Sequence, residues 1–192
     1  MLQLSIIVTS TRPGRVGLPV AQWFLERARE HGRFSIDFVD LKEVGLPFLD
    51  EPHHPRLRKY EKAHTHAWSA RVAAADAYVI VTPEYNYGMA PTLLNAIDFV
   101  YAEWNYKPAA FVSYGGVSGG TRSVQMAKLP LTTVRVMPIP EAVTIPFVTQ
   151  YLDKETGAFR ATEAHARAAA DLLDELHRWA EALRPLRAGR AS

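Results

Sequence analysis

The segment Ser10–Gly17, with the sequence Ser-Thr-Arg-Pro-Gly-Arg-Val-Gly, brings polar groups to the point where a helix is predicted to begin. The first N–H groups of a helix have no partner within it, and the helix dipole favours a negative charge there. Side chains add hydroxyl and guanidinium donors, from Ser10, Thr11, Arg12 and Arg15. The loop lacks the Gly-Lys-Ser/Thr ending of a triphosphate loop and the Gly-x-Gly-x-x-Gly dinucleotide pattern. We therefore predict a site for one terminal phosphate, the alternative being an ordinary turn with solvated arginines.

Two further loops have compositions suited to a flat ligand. Pro83–Pro91 reads Pro-Glu-Tyr-Asn-Tyr-Gly-Met-Ala-Pro, which combines a restricted backbone with aromatic rings and the polar side chain of Asn86. Ser113–Gly120 reads Ser-Tyr-Gly-Gly-Val-Ser-Gly-Gly, and its glycines permit a close approach of the backbone to a planar ring. The three loops together predict contacts to the phosphate, the ring face and the ring edge of one ligand.

Each of these loops follows a short apolar run, in the order Leu4–Thr9, Ala77–Thr82 and Ala109–Tyr114. Nearly continuous apolar runs of this length are typical of strands buried on both faces of a parallel sheet. Phe34–Leu41 and Thr133–Met137 are weaker strand candidates. Alternation with helical segments gives five βα units, which predicts an α/β fold with a doubly wound sheet. Ligands of such sheets bind beyond the carboxyl ends of the strands, where these three loops lie.

The first and last helices are the most clearly predicted by the sequence. The first is predicted to begin near Leu18 and to end at Gly32, and the last to cover residues 162–183 with Thr162 as its N-cap. Trp23 and Trp179 are expected to face the core. We expect one domain over residues 1–184 and a disordered tail over residues 185–192.

Composition excludes several functional classes. The 22 basic and 20 acidic residues nearly cancel and form no tract that would follow a nucleic acid. The chain has no cysteine, so redox chemistry would need a bound cofactor, and this absence fits a reducing cytoplasm. No apolar run is long enough to span a membrane. We therefore expect a cytoplasmic protein that acts on small molecules.

The three loops together resemble the NADPH-dependent FMN reductase family, and the likeness covers about three quarters of the chain. The matching positions are Ser10 and Arg12 in the first loop, Pro83, Glu84, Tyr85 and Asn86 in the second, and Ser113, Tyr114, Gly115 and Gly116 in the third. Pro91, Asn95, Ala96 and Asp98 continue the match. Two departures, Gly88 for a small hydroxyl residue and Leu94 for a lysine, leave the substrate preference open.

The resemblance implies a flavodoxin-like three-layer sandwich whose five parallel strands have the order 2-1-3-4-5, with helices on both faces. It also implies noncovalently bound FMN, with NADPH or NADH as the electron donor. A small acceptor such as free flavin or a quinone would be reduced in a ping-pong cycle. No catalytic side chain is demanded because the cofactor carries the chemistry. A homodimer or homotetramer is implied as well, and Tyr101 and Trp104 are candidates for its interface.

The sequence also leaves three other functions open. Gly116-Val117-Ser118-Gly119-Gly120 fits the Gly-x-Ser-x-Gly elbow of a serine hydrolase, with Asp153 and His165 or His177 following in the chain. A flavodoxin-type electron carrier would share the fold, but such carriers are strongly acidic and this chain has a pI near 8.9. The remaining possibility is a metal site at four histidines, His53, His54, His64 and His66, whose spacing is not that of a zinc pair, and we expect none.

Overall fold

The structure is a computed structural model and describes residues 1–188. Along the chain the elements are β1 (Leu2–Val8), α1 (Gly17–His31), β2 (Phe34–Asp40), α2 (Leu41–Val44), α3 (Ala63–Ala74), β3 (Ala77–Pro83), α4 (Pro91–Asp98), β4 (Pro108–Tyr114), α5 (Thr121–Thr133), β5 (Met137–Ile145) and α6 (Glu163–Ala188). The strands form one parallel sheet in the order β2-β1-β3-β4-β5. The predicted flavodoxin-like topology is confirmed.

Two apolar layers hold the sandwich together. Helices α1 and α6 cover one face of the sheet, and α3, α4 and α5 cover the other. All residues of β3 and β4 are buried, as expected for central strands with helices on both sides. Phe24 of α1 and Leu172 of α6 have no exposed surface, and Trp23 and Trp179, which were expected to face the core, are partly buried against the same apolar layer.

Pairing in register sets the level at which the three central strands end. Val8 of β1 pairs with Val81 of β3, and Pro83 of β3 pairs with Tyr114 of β4. One step further along the chain, the Glu84 N–H donates to the Tyr114 carbonyl at 3.1 Å. The three loops predicted to bind the ligand therefore leave the sheet from the same edge.

The position predicted for the fifth strand, Thr133–Met137, is wrong. Thr133 is the last residue of α5, and β5 begins at Met137. Two prolines, Pro138 and Pro140, break the apolar pattern because they cannot donate to a strand ladder. They are accommodated because β5 is an edge strand with a partner on one side only, and its pairing with β4 is irregular near these prolines.

Helix ends agree better with the sequence. Gly32 ends α1 with a φ of 73°, the left-handed conformation that glycine adopts at low cost. Thr162 caps α6, accepting a hydrogen bond from the His165 N–H at 3.3 Å. Within residues 1–188, no helix combines the length and apolar character needed to cross a membrane.

Disorder expected from Pro185 onward is wrong for residues 185–188, which continue α6. Arg187 explains the continuation, since its guanidinium donates to the Asp76 carboxylate at 2.8 Å and to the Tyr106 carbonyl at 3.0 Å. These bonds anchor the end of the helix even though the proline lacks an N–H. The rest of the expected tail, residues 189–192, lies outside the described residues.

Trp104 belongs to the core of the protomer, so its expected place in an interface is wrong. Its side chain is 1% exposed, its indole N–H donates to the Ile97 carbonyl at 3.2 Å, and its ring centre lies 4.8 Å from that of Tyr78. The two rings are tilted by 58°, and aromatic pairs at this separation contribute to core stability beyond the area they bury. Tyr101 is half-buried, and its hydroxyl donates to the Thr133 carbonyl.

Trp104→Ala should therefore lower the free energy of unfolding by about 3–5 kcal/mol, because it leaves a large cavity. Urea unfolding followed by circular dichroism measures the loss. The exposed Leu129 provides the control, and Leu129→Ala should change the free energy of unfolding little. A Trp104→Ala protein with wild-type stability and a dissociated oligomer would restore the interface interpretation.

Candidate functional site

The loop after β1 presents a series of backbone donors at the start of α1. The N–H groups of Ser10, Thr11 and Arg12 donate no hydrogen bond within the described part of the chain. Gly17 is the first residue of α1, and the first helical hydrogen bond is that from Val20 N–H to the Val16 carbonyl at 3.4 Å. Unpartnered N–H groups beside a helix N-terminus are a binding site for an anion.

The two arginines of this loop differ in their partners. Arg15 donates to the Ser10 carbonyl at 2.6 Å and forms a two-pronged ion pair with Asp40 at the end of β2. Arg12 is exposed and has no ion-pair or hydrogen-bond partner among residues 1–188. Arg15 therefore holds the loop in place, while the guanidinium of Arg12 is available to a ligand.

Beneath the loop, two hydroxyl groups lie against Gly17. The Ser10 Oγ and the Tyr114 hydroxyl are buried, and neither has a hydrogen bond of good geometry in the described structure. A β-carbon at Gly17 would overlap both oxygens, so only glycine leaves room for them. A buried hydroxyl without a partner is costly, and Ser10 lies at the end of the row of free N–H groups. The donor set therefore fits a phosphate group.

The loop after β3 is a tight reverse turn. Tyr85 and Gly88 exchange two backbone hydrogen bonds of 3.0 and 2.8 Å, and the two residues between them have positive φ, 48° at Asn86 and 70° at Tyr87. Asparagine tolerates this conformation, whereas tyrosine is strained in it. The Tyr87 ring is 71% exposed and lies 3.7 Å from the guanidinium carbon of Arg122. The turn thus presents Asn86 and an aromatic ring at the sheet edge.

Glu84 joins this turn to the loop after β4. Its carboxylate accepts hydrogen bonds from the Ser118 hydroxyl at 2.7 Å and from the Arg122 Nε at 2.7 Å and backbone N–H at 3.1 Å. Burial alone would raise the pKa of Glu84, but these hydrogen bonds and the charge of Arg122 hold it below its ordinary value. Glu84 is therefore ionised and engaged within the protein, and it positions two loops.

The loop after β4 is fixed by its own hydrogen bonds. The Ser113 hydroxyl donates to the Gly119 carbonyl at 2.8 Å, and the Phe147 N–H donates to the Gly116 carbonyl at 3.0 Å. Gly115 is closely packed, since a β-carbon there would lie 3.3 Å from the Gly120 nitrogen. At Gly116 a β-carbon would meet nothing within 4 Å. The open side of Gly116 is thus where a ligand can approach the backbone.

The predicted residues are brought together at one edge of the sheet, but they divide into two groups. Those that face open space or lack partners are Arg12, Gly116 and the exposed turn at Asn86, together with the unsatisfied Ser10 and Tyr114 hydroxyls. Those engaged within the protein are Arg15, Glu84 and Ser113. Arg122 was not among the predicted site residues. Its position as a basic residue in the first turn of a helix, two residues after Gly120, was a signal that could have marked it as a candidate.

The hydrolase interpretation fails on geometry. Ser118 donates its proton to the Glu84 carboxylate, so no histidine is its hydrogen-bond partner. His165 is instead packed among aromatic rings and accepts from the Thr162 N–H, while Asp153 pairs with Arg160. The histidines considered for a metal have other partners, such as Asp50 for His64 and the Arg56 N–H for His54. No metal-like cluster of three ligands occurs among the described side chains.

The fold is that of a flavodoxin-like protein, and three polar or glycine-rich loops meet at the carboxyl edge of its sheet. Residues 2–150 match the family model described as NADPH-dependent FMN reductase. The chain belongs to this family. Its members are oxidoreductases that use FMN and NAD(P)H, and the predicted enzyme class and cofactors are confirmed.

Individual relatives agree with the assignment. An NAD(P)H-dependent FMN reductase of Schizosaccharomyces pombe is 37% identical over 147 residues, covering 75% of this chain and 74% of that protein. A 2-hydroxy-1,4-benzoquinone reductase of a Burkholderia species is 30% identical over 129 residues, covering 65% and 66%. The solved structure of FerB, a flavoenzyme NAD(P)H:(acceptor) oxidoreductase of Paracoccus denitrificans, has a TM-score of 0.71 at 23% identity, covering 94% and 98%, and shows the shared fold.

Gly116→Val should abolish most FMN binding while leaving the fold intact, because the added side chain occupies the open approach to the backbone and its β-carbon meets no protein atom within 4 Å. We expect at least a tenfold weaker affinity, roughly 1.4 kcal/mol or more, in fluorescence titrations. Val117→Ala on the neighbouring exposed residue is the matched control and should bind as the wild type does. If Gly116→Val bound FMN normally with native circular dichroism, this loop would not line the flavin.

Proposed function

We propose that this protein oxidises NAD(P)H and reduces a small planar acceptor, free flavin or a quinone, at an FMN site on the carboxyl edge of its sheet. The observation that carries the proposal is the phosphate loop, in which free backbone donors and the unpaired Arg12 surround the start of α1. When bound, FMN supplies the redox chemistry, taking a hydride from NAD(P)H and passing the electrons to the acceptor in a ping-pong cycle.

The residues of this chain define the phosphate end of the proposed site more fully than the ring end. Backbone N–H groups of residues 10–12 and the Ser10 hydroxyl would hold the phosphate oxygens, and Arg12 would neutralise their charge. Arg15 acts on the loop instead, because Asp40 already neutralises it. The phosphate site therefore gains one net positive side chain from the loop.

At the ring end the protein contributes shape and backbone groups. The turn at Asn86 and the backbone of Gly115 and Gly116 would line the ring, and Glu84 would keep the two loops at a fixed separation through Ser118 and Arg122. Glu84, the carboxylate beside these loops, has its pKa held below the ordinary value by its hydrogen bonds and by the charge of Arg122, so it is engaged within the protein rather than available as an acid or base. This agrees with chemistry carried by the cofactor.

Support for the acceptor class comes from the relatives. One is named for FMN reduction and another for reduction of 2-hydroxy-1,4-benzoquinone, both flat conjugated molecules. A homodimer or homotetramer and a cytoplasmic location remain predictions from the family resemblance and the absence of cysteine.

The purified protein should show the visible absorption bands of a flavin, or gain them when FMN is added, and should oxidise NADPH or NADH with a quinone present. An absorption spectrum and the decay of NAD(P)H absorbance are sufficient measurements. A colourless protein that gains no bands with FMN would overturn the proposal. A long-lived one-electron-reduced flavin without NAD(P)H turnover would favour an electron carrier.

Arg12→Ala should weaken FMN binding by about tenfold to a hundredfold, since a charge-assisted hydrogen bond contributes about 1.5–3 kcal/mol. Riboflavin, which lacks the phosphate, should bind as before. Arg15→Ala is the matched comparison and should chiefly lower the free energy of unfolding, because it leaves Asp40 without its partner. Equal losses for FMN and riboflavin in Arg12→Ala would show that Arg12 does not contact the phosphate.

A further inference from the structure

The buried tyrosines of β3 and β4 differ in how their hydroxyl groups are satisfied. Tyr78 is fully buried, and its hydroxyl donates to the Val72 carbonyl at 2.9 Å. Tyr114 is 4% exposed, and its hydroxyl makes no hydrogen bond of good geometry within residues 1–188. Because most buried polar groups are paired, the unsatisfied hydroxyl of Tyr114 calls for a physical explanation.

Ser10 is the neighbour that can accept from Tyr114. Its Oγ is also buried and also lacks a well-formed bond, and both oxygens lie against Gly17 at the first turn of α1. The charges of Arg12 and Arg15 act on Tyr114 in the direction that lowers its pKa, but burial outweighs them. Burial raises the pKa of Tyr114 well above its ordinary value, so the phenol keeps its proton and is a donor.

The donor and acceptor capacity of the two hydroxyls fixes the direction of the bonds. A serine hydroxyl has one proton to donate and two lone pairs that accept. If Tyr114 donates to Ser10, the serine proton cannot point back at the tyrosine and is left for another acceptor. The neighbouring free N–H groups of residues 10–12 are donors and cannot accept it. An anion in the loop supplies the missing acceptor.

We propose that Tyr114 is a positioning residue for the FMN phosphate: its hydroxyl donates to Ser10 Oγ, and Ser10 in turn donates to a phosphate oxygen. The inference rests on the proposed function, and it moves the side chain of Tyr114 from the ring edge to the phosphate end of the site. Without the phosphate, the Ser10 proton has no acceptor among the described residues.

In this role the Tyr114 hydroxyl strengthens FMN binding but does not stabilise the apoprotein. Tyr114→Phe removes a hydroxyl that makes no good bond in the protein alone, so the apoprotein should be at least as stable as the wild type. The same variant should bind FMN about three- to tenfold more weakly, the loss of one neutral hydrogen bond, and should bind riboflavin unchanged. If Tyr114 had only a packing role, Tyr114→Phe would leave the ratio of the FMN affinity to the riboflavin affinity unchanged.

The test compares apoproteins by urea unfolding and by fluorescence titration with FMN and with riboflavin. Tyr78→Phe is the matched control, because it removes a satisfied hydroxyl and should lower the free energy of unfolding without changing the affinity ratio. Ser10→Ala and the double variant Ser10→Ala/Tyr114→Phe complete a double-mutant cycle. We expect the double variant to bind FMN no more weakly than Ser10→Ala does.

Each result has a distinct meaning. Unchanged FMN affinity in Tyr114→Phe, additive losses in the double variant, or an apoprotein less stable than the wild type would each overturn the inference. These outcomes leave the proposed function standing, provided that the wild type binds FMN. A wild type that binds neither FMN nor riboflavin would overturn the proposed function itself.

Discussion

Parallel pairing of β1, β3 and β4 is the constraint on which the site depends. Strands that run in the same direction and pair in register end at the same level, so the loops that follow them share one edge of the sheet. The three loops that follow these strands lie tens of residues apart in the chain and thereby meet at one edge of the sheet. The helices on both faces keep these strands buried, and the apolar layers thus determine where the polar loops lie.

Charge at that edge is arranged by internal neutralisation. Asp40 pairs with Arg15, and Glu84 pairs with Arg122, which leaves Arg12 as the loop cation without a partner among the described residues. Unneutralised positive charge therefore lies in the loop after β1, while the loops after β3 and β4 present backbone groups and aromatic surface. This separation suits a cofactor that is anionic at one end and conjugated at the other.

Buried parallel strands and glycine-rich turns leave strong local patterns, which predicted the parallel sheet and its three loops. The resemblance of those loops to a known family supplied the strand order. The sequence did not show that Arg15 is engaged within the protein, since its partner Asp40 lies 25 residues away at the end of β2. The engaged role of Glu84 was hidden for the same reason, because Arg122 is 38 residues distant. β5 was misplaced since its prolines obscure the pattern, and Trp104 was misassigned since burial of a lone aromatic residue is decided by tertiary packing.

Asp76 has a consequence for the biosynthesis of the protein. One carboxylate oxygen accepts from the Gln3 N–H, 73 residues earlier, and the other accepts from Arg187, 111 residues later. The chain must therefore be synthesised through Arg187 before this junction can close. The β1–β3 half of the sheet can assemble before the last turn of α6 is made, so closure of the junction at Asp76 is a late step of folding.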